Sequence, residues 1–392
     1  MNIAYILHST VQTEGSAKSF LVMLKGLMSM GINPIIIAPN DKDLANTLKE
    51  MGIPVYATTY RMCAYPQKKT LSHKLLFLPR LLGRIIVNHR ATKDTINILQ
   101  KHAIDIVHTN VGLINIGFRA AQKLGIPHVF HLREYGKLDF GLEYFPNIQY
   151  FYKLLDDVPH SYSICITRDI QHYHHQDGKT SSRVIYNGIC PQMETMPYAS
   201  KNSQDYFLYA GRIESAKGVD SLLEAYSLYI RQTPQPIPLR IAGLPLDEVY
   251  MKRLQQLINN HALHEYVTFL GDRRDITDLM RDARAIIIPS LHEGFGRCMP
   301  EAMMQGCLAI GRNTSGTKEQ FDNGLELTGE EIGLRYDTNE ELAKLLKEVT
   351  LNPISHYQPY RERAFRTVNS LYTQEQNTQR IYSFYKDILK ET

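Results

Sequence analysis

Short apolar runs alternate with amphipathic stretches along nearly the whole chain. In the first half the apolar runs predict buried strands at 3–7, 34–38, 54–57, 104–109, 127–131, 162–167 and 184–187. Amphipathic stretches predict helices at 16–30, 43–51 and 116–124, and a glycine follows each of them as a stop signal. Ser16 is the expected cap of the first helix. Strands that alternate with helices are typical of a parallel sheet with right-handed crossovers.

The second half repeats this alternation. It predicts strands at 206–210, 239–242, 267–270, 285–290 and 308–311, and helices near 219–230, 246–261 and 276–283. The polar stretch 191–205 has no clear periodicity and predicts a linker. We therefore expect an N-terminal α/β domain over 1–190 and a C-terminal α/β domain over 206–372. A last helix, 373–392, carries one apolar stripe formed by Ile381, Phe384, Tyr385, Ile388 and Leu389.

Composition agrees with a two-domain globular protein. The chain has 392 residues, more than a single hydrophobic core usually supports. Its hydrophobic content of 43% and charged content of 21% are typical of globular proteins. Its five cysteines are scattered without zinc or thioredoxin spacing, which favours a reducing cytoplasm. Residues 1–7 predict a strand and no secretory signal, and no apolar stretch is long enough to span a bilayer.

Two glutamates eight positions apart, Glu293 and Glu301, enclose a glycine-containing loop between a predicted strand and a short helix that Pro300 is expected to begin. Ligands of open α/β sheets bind at such strand ends. Paired carboxylates there suit the hydroxyls of a sugar or a ribose. The alternative is a solvated acidic loop before an ordinary helix.

A second motif, Gly211-Arg212-Ile213-Glu214-Ser215-Ala216-Lys217-Gly218, directly follows the predicted strand 206–210. An arginine and a lysine beside a helix start suit a diphosphate, because one offers a planar fork and the other a compact charge. The segment is neither a Walker loop nor a dinucleotide fingerprint. The alternative is a surface turn with two solvated cations.

Together with Glu14-Gly15-Ser16-Ala17, His131, Tyr186-Asn187-Gly188 and Ser315-Gly316-Thr317-Lys318-Glu319, these motifs resemble the retaining glycosyltransferases of family 4. The ordered landmarks extend along nearly the whole chain. The resemblance implies the GT-B fold, in which two Rossmann-like parallel-sheet domains face each other across a cleft and the last helix crosses back to the N-terminal domain.

The same resemblance implies roles for particular residues. Glu301 is expected to accept from ribose hydroxyls and Glu293 from hydroxyls of the transferred sugar. The remaining substrate-binding candidates are Gly15, Ser16, Gly294, Phe295, Gly296 and Thr317. Just before Gly15, Glu14 stands where family members often have a glycine. His131, at the end of strand 127–131, is expected near the reacting sugar; the alternative is a structural histidine.

The predicted reaction transfers a hexose-type sugar from a nucleotide-diphosphate sugar to a saccharide hydroxyl. Arg212 and Lys217 would neutralise the leaving diphosphate, so we expect neither a metal nor a cofactor. The resemblance implies retention of configuration. Because the sequence shows no clear nucleophile for a double displacement, the hypothesis is front-face attack by the acceptor hydroxyl, with the departing phosphate taking its proton. Base contacts are expected from backbone near Gly243 and from 271–274, including Arg274, and uridine is the favoured base, with guanosine left open.

The acceptor is indicated by a stretch without acidic residues between Glu50 and Asp94. Its cations are Arg61, Lys68, Lys69, Lys74, Arg80, Arg84, Arg90 and Lys93, and its segment 74–87 is strongly apolar. Such a stretch (61–93) suits an anionic membrane and a lipid-linked saccharide at the inner face of the membrane. The alternative is a helix that packs on the sheet. A net charge of +4 without a reader motif argues against nucleic acid.

Three other functions stay open at this point. A nucleotide-sugar epimerase shares the architecture but needs no acceptor. A pyridoxal-phosphate phosphorylase is disfavoured because such chains are usually much longer. A non-catalytic protein that binds a glycan or a partner is the third, and the two intact motifs argue against it.

Overall fold

The computed structural model describes residues 1–66, 74–197 and 205–391. It divides the chain into two compact units. Unit 1 is Met1–Gly188 together with the C-terminal segment from Gln374, and unit 2 is Ile189–Thr373. The segment predicted as a linker begins inside unit 2, where Asn369 and Met193 exchange two hydrogen bonds of 2.7 and 3.1 Å.

Unit 1 contains a parallel sheet covered by helices. Its strands are β1 (Asn2–Ile6), β2 (Asn33–Ala38), β3 (Val55–Ala57), β5 (Ile106–Thr109), β6 (His128–Leu132), β8 (Ser161–Cys165) and β9 (Ser182–Val184). Among the described residues they form one sheet in the order β3-β2-β1-β5-β6-β8-β9. A small antiparallel pair is formed by β4 (Ala64–Pro66) and β7 (Leu142–Tyr144).

The helices of unit 1 follow the predicted alternation. They are α1 (Gly15–Ser29), α2 (Leu44–Glu50), α3 (Phe77–Lys101), α4 (Ile116–Leu124), α5 (Lys137–Phe140), α6 (Ile148–Asp156), α7 (Arg168–Tyr173) and α15 (Gln374–Glu391). The predicted cap Ser16 is wrong: α1 begins at Gly15, Glu14 occupies the capping position, and its side chain makes no capping bond. The predicted stop is confirmed, since Gly31 adopts a φ of 82° directly after the helix.

Unit 2 contains a second parallel sheet. Its strands are β10 (Phe207–Ala210), β11 (Leu239–Ala242), β12 (Val267–Gly271), β13 (Ala285–Ile288), β14 (Leu308–Arg312) and β15 (Leu334–Tyr336), in the order β12-β11-β10-β13-β14-β15. Its helices are α8 (Val219–Gln232), α9 (Glu248–Asn260), α10 (Ile276–Asp282), α11 (Cys298–Met304), α12 (Ser315–Thr328), α13 (Asn339–Leu351) and α14 (Gln358–Leu371). The central strands β10 and β13 are fully buried, as their unbroken apolar runs predict.

Two helices near the candidate site differ from the sequence prediction. The helix expected to begin at Pro300 begins at Cys298, so the proline lies in its first turn, where its missing N–H costs nothing. Helix α12 was not predicted, because Gly316, Thr317 and Gly324 are weak helix formers. Tertiary packing stabilises it instead: Phe321 is fully buried, and Gly324 packs closely on Ile332.

The apolar stripe of α15 packs on unit 1, where Ile381 and Tyr385 are completely buried in the core of that unit. Gly26 of α1 allows this close approach, because a Cβ added there would lie 2.2 Å from Oγ1 of Thr378. A glycine inside a helix is otherwise unfavourable by about 1 kcal/mol relative to alanine. Close helix contact therefore explains Gly26.

Two helix-interior glycines give opposite predictions. Gly26→Ala should lower the free energy of unfolding by about 1–3 kcal/mol, because the new methyl group overlaps Thr378. Gly83→Ala in α3 should raise it by about 0.5–1 kcal/mol, because nothing lies within 4 Å of the new methyl group. Urea unfolding of the two variants measures both effects. Equal changes would contradict the packing of α15 on α1.

Candidate active site

The candidate site of unit 2 is built where neighbouring strands end. Gly211 follows β10 and Gly243 follows β11, and the two backbones approach so closely that a Cβ on Gly243 would lie 1.8 Å from the carbonyl oxygen of Gly211. Gly243 has a φ of 149°, which other residues rarely adopt. A side chain at Gly243 would not fit there, which is consistent with the prediction that ligand contacts near Gly243 come from the backbone.

Lys217 is presented by a single 3₁₀ turn, Ser215–Lys217, that leads into α8. Gly218 ends the turn in a left-handed conformation, with a φ of 66°. A Cβ there would lie 2.3 Å from the carbonyl oxygen of Pro289, and Leu291 donates its N–H to Ala216 at 3.0 Å. These contacts hold the predicted diphosphate loop against the segment that follows β13.

The structure brings the two predicted motifs together at one ion pair. Nζ of Lys217 lies 2.7 Å from Oε2 of Glu293, and both side chains are more than four-fifths buried. Burial acts to lower the pKa of Lys217, but the charge of Glu293 and its hydrogen bond outweigh burial and raise that pKa above its usual value. Lys217 is therefore a cation in this site at neutral pH.

Arg212 lies at the exposed side of the same loop. Its guanidinium pairs with Glu214 at 3.0 Å and is nearly half exposed, and its carbonyl oxygen accepts from the hydroxyl of buried Tyr209 at 2.6 Å. The charge of Arg212 is one of the influences on the pKa of Lys217. The two predicted phosphate ligands therefore share one electrostatic environment.

Glycine also shapes the loop that carries Glu293. Gly296 has a φ of 76°, and a Cβ on it would lie 2.7 Å from Cγ of Glu293. Gly316, at the start of α12, donates its N–H to the carbonyl oxygen of Glu293 at 2.9 Å. Gln320 of the same helix donates to the carbonyl oxygens of Phe295 and Gly296. Helix α12 thus fixes the position of the carboxylate.

Glu301 is held by an arginine to which the sequence analysis gave no role. Nε and a terminal nitrogen of Arg297 lie 3.0 and 2.8 Å from Oε1 of Glu301. Their i, i+4 spacing on a helix could have indicated this pair from the sequence alone. Burial and the charges of Glu301 and Glu293 raise the pKa of Cys298, which lies between them, to about 12. That thiol is consequently no nucleophile at neutral pH.

The other predicted residues of unit 2 lie in different environments. Thr317 is buried, and its hydroxyl forms no hydrogen bond with any residue that the structure describes. Phe295 is buried edge-on against Tyr372, with ring centroids 5.4 Å apart. Arg274 lies on an exposed turn after β12. Thr317 and Phe295 thus belong to the interior of the site region, and Arg274 to its surface.

The predicted residues of unit 1 lie at the start of α1 and in β6. Gly15 and Ser16 form the first turn of α1, whose leading backbone N–H groups have no partner within the helix. Glu14, just before them, lies 3.3 Å from Nε2 of His8. His131 is completely buried in β6, and its Nδ1 lies 3.0 Å from Nε2 of His108. His128 bonds Thr109 instead, as strand alternation predicts.

The described ranges contain neither a metal-binding cluster nor a membrane-spanning helix. In residues 1–66, 74–197 and 205–391 no group of three or more His, Cys, Asp or Glu side chains is arranged to hold a metal ion. Asp156 accepts from Gln176 at 2.8 Å and pairs with Lys179. No helix in the same ranges is both long and apolar enough to cross a membrane.

Comparisons with known proteins match this site region. Residues 195–367 match the family model of glycosyl transferases group 1. An uncharacterized glycosyltransferase of Methanocaldococcus jannaschii is 23% identical over 339 residues, which is 84% of this chain and 91% of that protein. The O-antigen chain mannosyltransferase B of Escherichia coli is 32% identical over 120 residues, 30% of each chain.

Solved structures extend the similarity to the whole chain. HepE of Anabaena in complex with UDP has a TM-score of 0.76 at 19% identity, covering 99% of this chain and 100% of HepE. The predicted GT-B fold is thereby confirmed. The matched group 1 region contains Arg212, Lys217, Glu293 and Glu301. The assignment to glycosyltransferase family 4 stays a prediction.

The ion pair of Lys217 gives a prediction for stability. Lys217→Met leaves the mostly buried carboxylate of Glu293 without that cation, so the free energy of unfolding should fall by about 1–3 kcal/mol near pH 7. Urea unfolding near pH 7 measures the loss.

The matched control is Lys318→Met. Its ion pair with Asp322 is about half exposed on α12, so removing that lysine should change the free energy of unfolding by less than about 0.5 kcal/mol. If the two variants lose the same stability, the pair of Lys217 with Glu293 contributes no more to folding than an exposed ion pair.

Proposed function

We propose that this protein is a glycosyltransferase that moves a hexose-type sugar from a nucleotide-diphosphate sugar, with UDP as the carrier, to a saccharide hydroxyl with retention of configuration. The observation that carries the proposal is the 2.7 Å contact between Lys217 and Glu293, because it joins a phosphate ligand to a hydroxyl ligand at one point. HepE of Anabaena, which shares the fold, has been solved with UDP and with UDP-glucose.

The cations act on the leaving group. As the bond from the anomeric carbon to the diphosphate breaks, its electron pair leaves with the phosphate oxygen. Arg212 and Lys217 stabilise the growing negative charge, the first through a fork and the second as a point charge. Two fixed cations supply this stabilisation without a metal, and we infer that the enzyme needs none.

The carboxylates act on hydroxyl groups. Arg297 occupies one oxygen of Glu301, which orients the carboxylate for a ribose hydroxyl. Glu293 is oriented by Lys217 and by its loop, and accepts from hydroxyls of the sugar. In a front-face reaction the acceptor oxygen forms the new bond to the anomeric carbon on the side that the diphosphate leaves. The proton of the acceptor hydroxyl passes to the departing phosphate.

The acceptor is assigned to unit 1. A cavity of about 270 Å³ lies where β1, β2 and β3 end, lined by residues that include His8, Ser9, Thr10, Asn40 and Arg61. Carboxyl ends of parallel strands are the usual ligand sites of such sheets. Hydroxyl, amide and guanidinium groups suit a saccharide that carries an anionic group, such as a lipid diphosphate.

Helix α3 supports a membrane-bound acceptor. Its packed stripe includes Leu81, Ala91, Thr95 and Leu99, so the packing interpretation holds for this face. A second set of aliphatic side chains near its start is exposed: Leu75, Leu76, Leu78, Leu82, Ile85 and Ile86. Exposed cations accompany them at Lys74, Arg80, Arg90 and Lys93. Arg84 instead lies over the ring of Tyr65. Lys68 and Lys69 lie outside the described residues. Such a surface suits the anionic inner face of a membrane.

A donor screen tests the proposed reaction. Thermal shifts should be largest with UDP and UDP-sugars among uridine, guanosine and adenosine diphosphates and their sugars, because a ligand that binds only the folded state raises its stability. Arg212→Ala should weaken UDP binding about tenfold or more, through loss of a charge-assisted bond. Arg253→Ala, a more exposed arginine on α9, is the matched control and should leave binding unchanged.

Several results would contradict parts of this proposal. An epimerised sugar nucleotide, formed without an acceptor, would favour the epimerase. Absence of nucleotide release across donors and acceptors would favour a non-catalytic binding protein. An inverted linkage, measured by NMR of the product, would exclude front-face attack and leave the transferase intact.

Vesicle sedimentation tests the membrane surface. The protein should sediment with anionic vesicles and much less with neutral ones. The double variant Leu78→Glu and Leu82→Glu should reduce the bound fraction at least about tenfold, because it places charge among groups that enter the lipid. Leu351→Glu changes an exposed leucine of unit 2 and should bind normally. Equal recovery in the supernatant with both vesicle types would contradict the proposal.

A further inference from the structure

The cavity of unit 1 is lined by segments that follow three neighbouring strands. Residues 8–11 come after β1, residues 39–40 after β2 and residues 60–62 after β3, and Ile114 completes the lining. None of the described residues that line the cavity is acidic, and Arg61 is a permanent cation. Its volume of about 270 Å³ lies just below the usual range for small-molecule sites. One small group of a ligand therefore fits the cavity better than a chain of sugars.

Several polar groups of the cavity wall are already engaged within unit 1. The hydroxyl of Thr10 donates to Oδ1 of Asn40 at 2.8 Å, and the N–H of Lys42 donates to the same oxygen at 3.1 Å. The hydroxyl of Tyr60 donates to two backbone carbonyl oxygens. An amide oxygen has two lone pairs, so two bonds fill it. The oxygen of Asn40 and the hydroxyl hydrogens of Thr10 and Tyr60 are thus not available to a ligand.

The groups that remain available are hydrogen-bond donors. Nδ2 of Asn40 and the guanidinium of Arg61 form no hydrogen bond or ion pair with any residue that the structure describes. Oγ of Ser9 accepts from the N–H of Val11 at 3.1 Å, which leaves the hydrogen of that hydroxyl for a ligand. The three donors come from three different segments of the wall. The cavity therefore suits a group that presents several acceptor oxygens.

His8 adds a buried atom without a partner at the same wall. Nδ1 of His8 is buried and forms no hydrogen bond with the described part of the chain, while Nε2 lies 3.3 Å from Oε2 of Glu14. Buried polar atoms are almost always hydrogen-bonded, so an exception at a cavity indicates a ligand or an ordered water. This observation is independent of the three donors and also points to an occupant.

The carboxylates of the adjoining loop are engaged elsewhere. Oδ2 of Asp43 accepts from the N–H of Gln12 at 2.8 Å, and Asp41 pairs with Lys49 at 2.5 Å. Neither carboxylate pairs with Arg61. The positive charge of Arg61 is therefore not neutralised by this loop and can attract an anion.

Asn88 of α3 holds Arg61 by its backbone. Oδ1 of Asn88 accepts from the N–H of Arg61 at 2.8 Å, and Nδ2 of Asn88 donates to the carbonyl oxygen of Arg61 at 2.9 Å. One side-chain amide thus satisfies both backbone groups of one residue and leaves the guanidinium unbound. A fixed backbone reduces the entropy that is lost when a ligand orders the arginine side chain.

We propose that the cavity of unit 1 binds a phosphate group of the acceptor, that Arg61 selects this group, and that Asn88 is the positioning residue for Arg61. This inference rests on the proposed function, which assigns the acceptor to this cavity. A phosphate monoester or a diphosphate offers three or more oxygens to the donors of Ser9, Asn40 and Arg61, whereas a carboxylate offers two. A lipid-linked diphosphate and a soluble sugar phosphate both carry such a group.

Calorimetric titration of the full chain tests the site with four probes. Glucose 1-phosphate and geranyl diphosphate carry phosphate, glucuronate carries a carboxylate, and methyl glucoside is neutral. Arg61→Gln should weaken binding of both phosphate probes about tenfold or more, because a charge-assisted bond is lost. Arg61→Lys should lose less, because it keeps the charge without the planar fork. Arg119→Gln changes an exposed arginine of α4 outside the cavity and should bind normally as the matched control.

Asn88→Ala tests positioning separately from folding. It should weaken binding of the phosphate probes about threefold or more in the otherwise unaltered protein, and it should cause no further loss in Arg61→Gln. A general disturbance of α3 would instead add to the loss in both proteins. Additive losses would therefore overturn the role given to Asn88.

Arg212→Ala is titrated beside Arg61→Gln, because the predicted diphosphate loop of unit 2 is a second place for phosphate to bind. Binding that is lost in Arg61→Gln and kept in Arg212→Ala supports the proposal, and the reverse pattern overturns it. Equal affinity for glucuronate, methyl glucoside and glucose 1-phosphate overturns it as well. Tighter binding of geranyl diphosphate through Arg61 supports a lipid-linked source of the phosphate, and tighter binding of glucose 1-phosphate supports a soluble one.

Binding of UDP distinguishes this inference from the proposed function. If the phosphate probes bind through Arg61 and UDP does not bind, the proposed function has failed and the phosphate site stands. If UDP binds and no phosphate probe depends on Arg61, the phosphate site is excluded and the proposed function stands.

Discussion

The ion pair between Lys217 and Glu293 is the constraint on which the site of unit 2 depends. The two residues are 76 positions apart, and each sits on a loop after a different strand of the sheet. Holding them 2.7 Å apart requires close backbone packing, and glycine supplies it at three positions. Side chains at Gly218, Gly296 or Gly316 would overlap Pro289, Glu293 or Gly294. The motif glycines are therefore steric requirements of one electrostatic contact.

The pair also explains why the site contains so many compensating charges. Removing one member of a partly buried pair leaves a charge that water cannot fully solvate, which is unfavourable by a few kcal/mol. Arg212 with Glu214 and Arg297 with Glu301 follow the same rule at the edges of the site. An anionic ligand can enter such a set because each cation has a nearby carboxylate and can exchange it for a phosphate oxygen.

Much of this architecture could be predicted from local sequence. Buried parallel strands appear as unbroken apolar runs, and β10 and β13 have this pattern with almost the observed boundaries. Helix ends marked by Gly31 and Gly125 are visible because left-handed backbone favours glycine. Motif order placed Lys217 and Glu293 at strand ends of one sheet. Both motifs were predicted to bind one nucleotide-diphosphate sugar, which requires them to lie close together.

What local sequence could not show depends on tertiary contact. Helix α12 contains weak helix formers and is stabilised by the packing of Phe321 and Gly324. Ser16 is a good capping residue in general, yet the helix begins one position earlier, after Glu14. The contact of His108 with Tyr385 spans 277 positions and has no spacing rule. The pair Arg297 and Glu301, by contrast, follows i, i+4 spacing and could have been predicted.

The two units leave buried polar groups in opposite charge states. In unit 2, Lys217 stays charged despite burial because Glu293 raises its pKa. In unit 1, His131 stays neutral because burial and Arg133 lower its pKa. Burial is common to both groups, so their neighbours decide whether each becomes a cation or stays neutral.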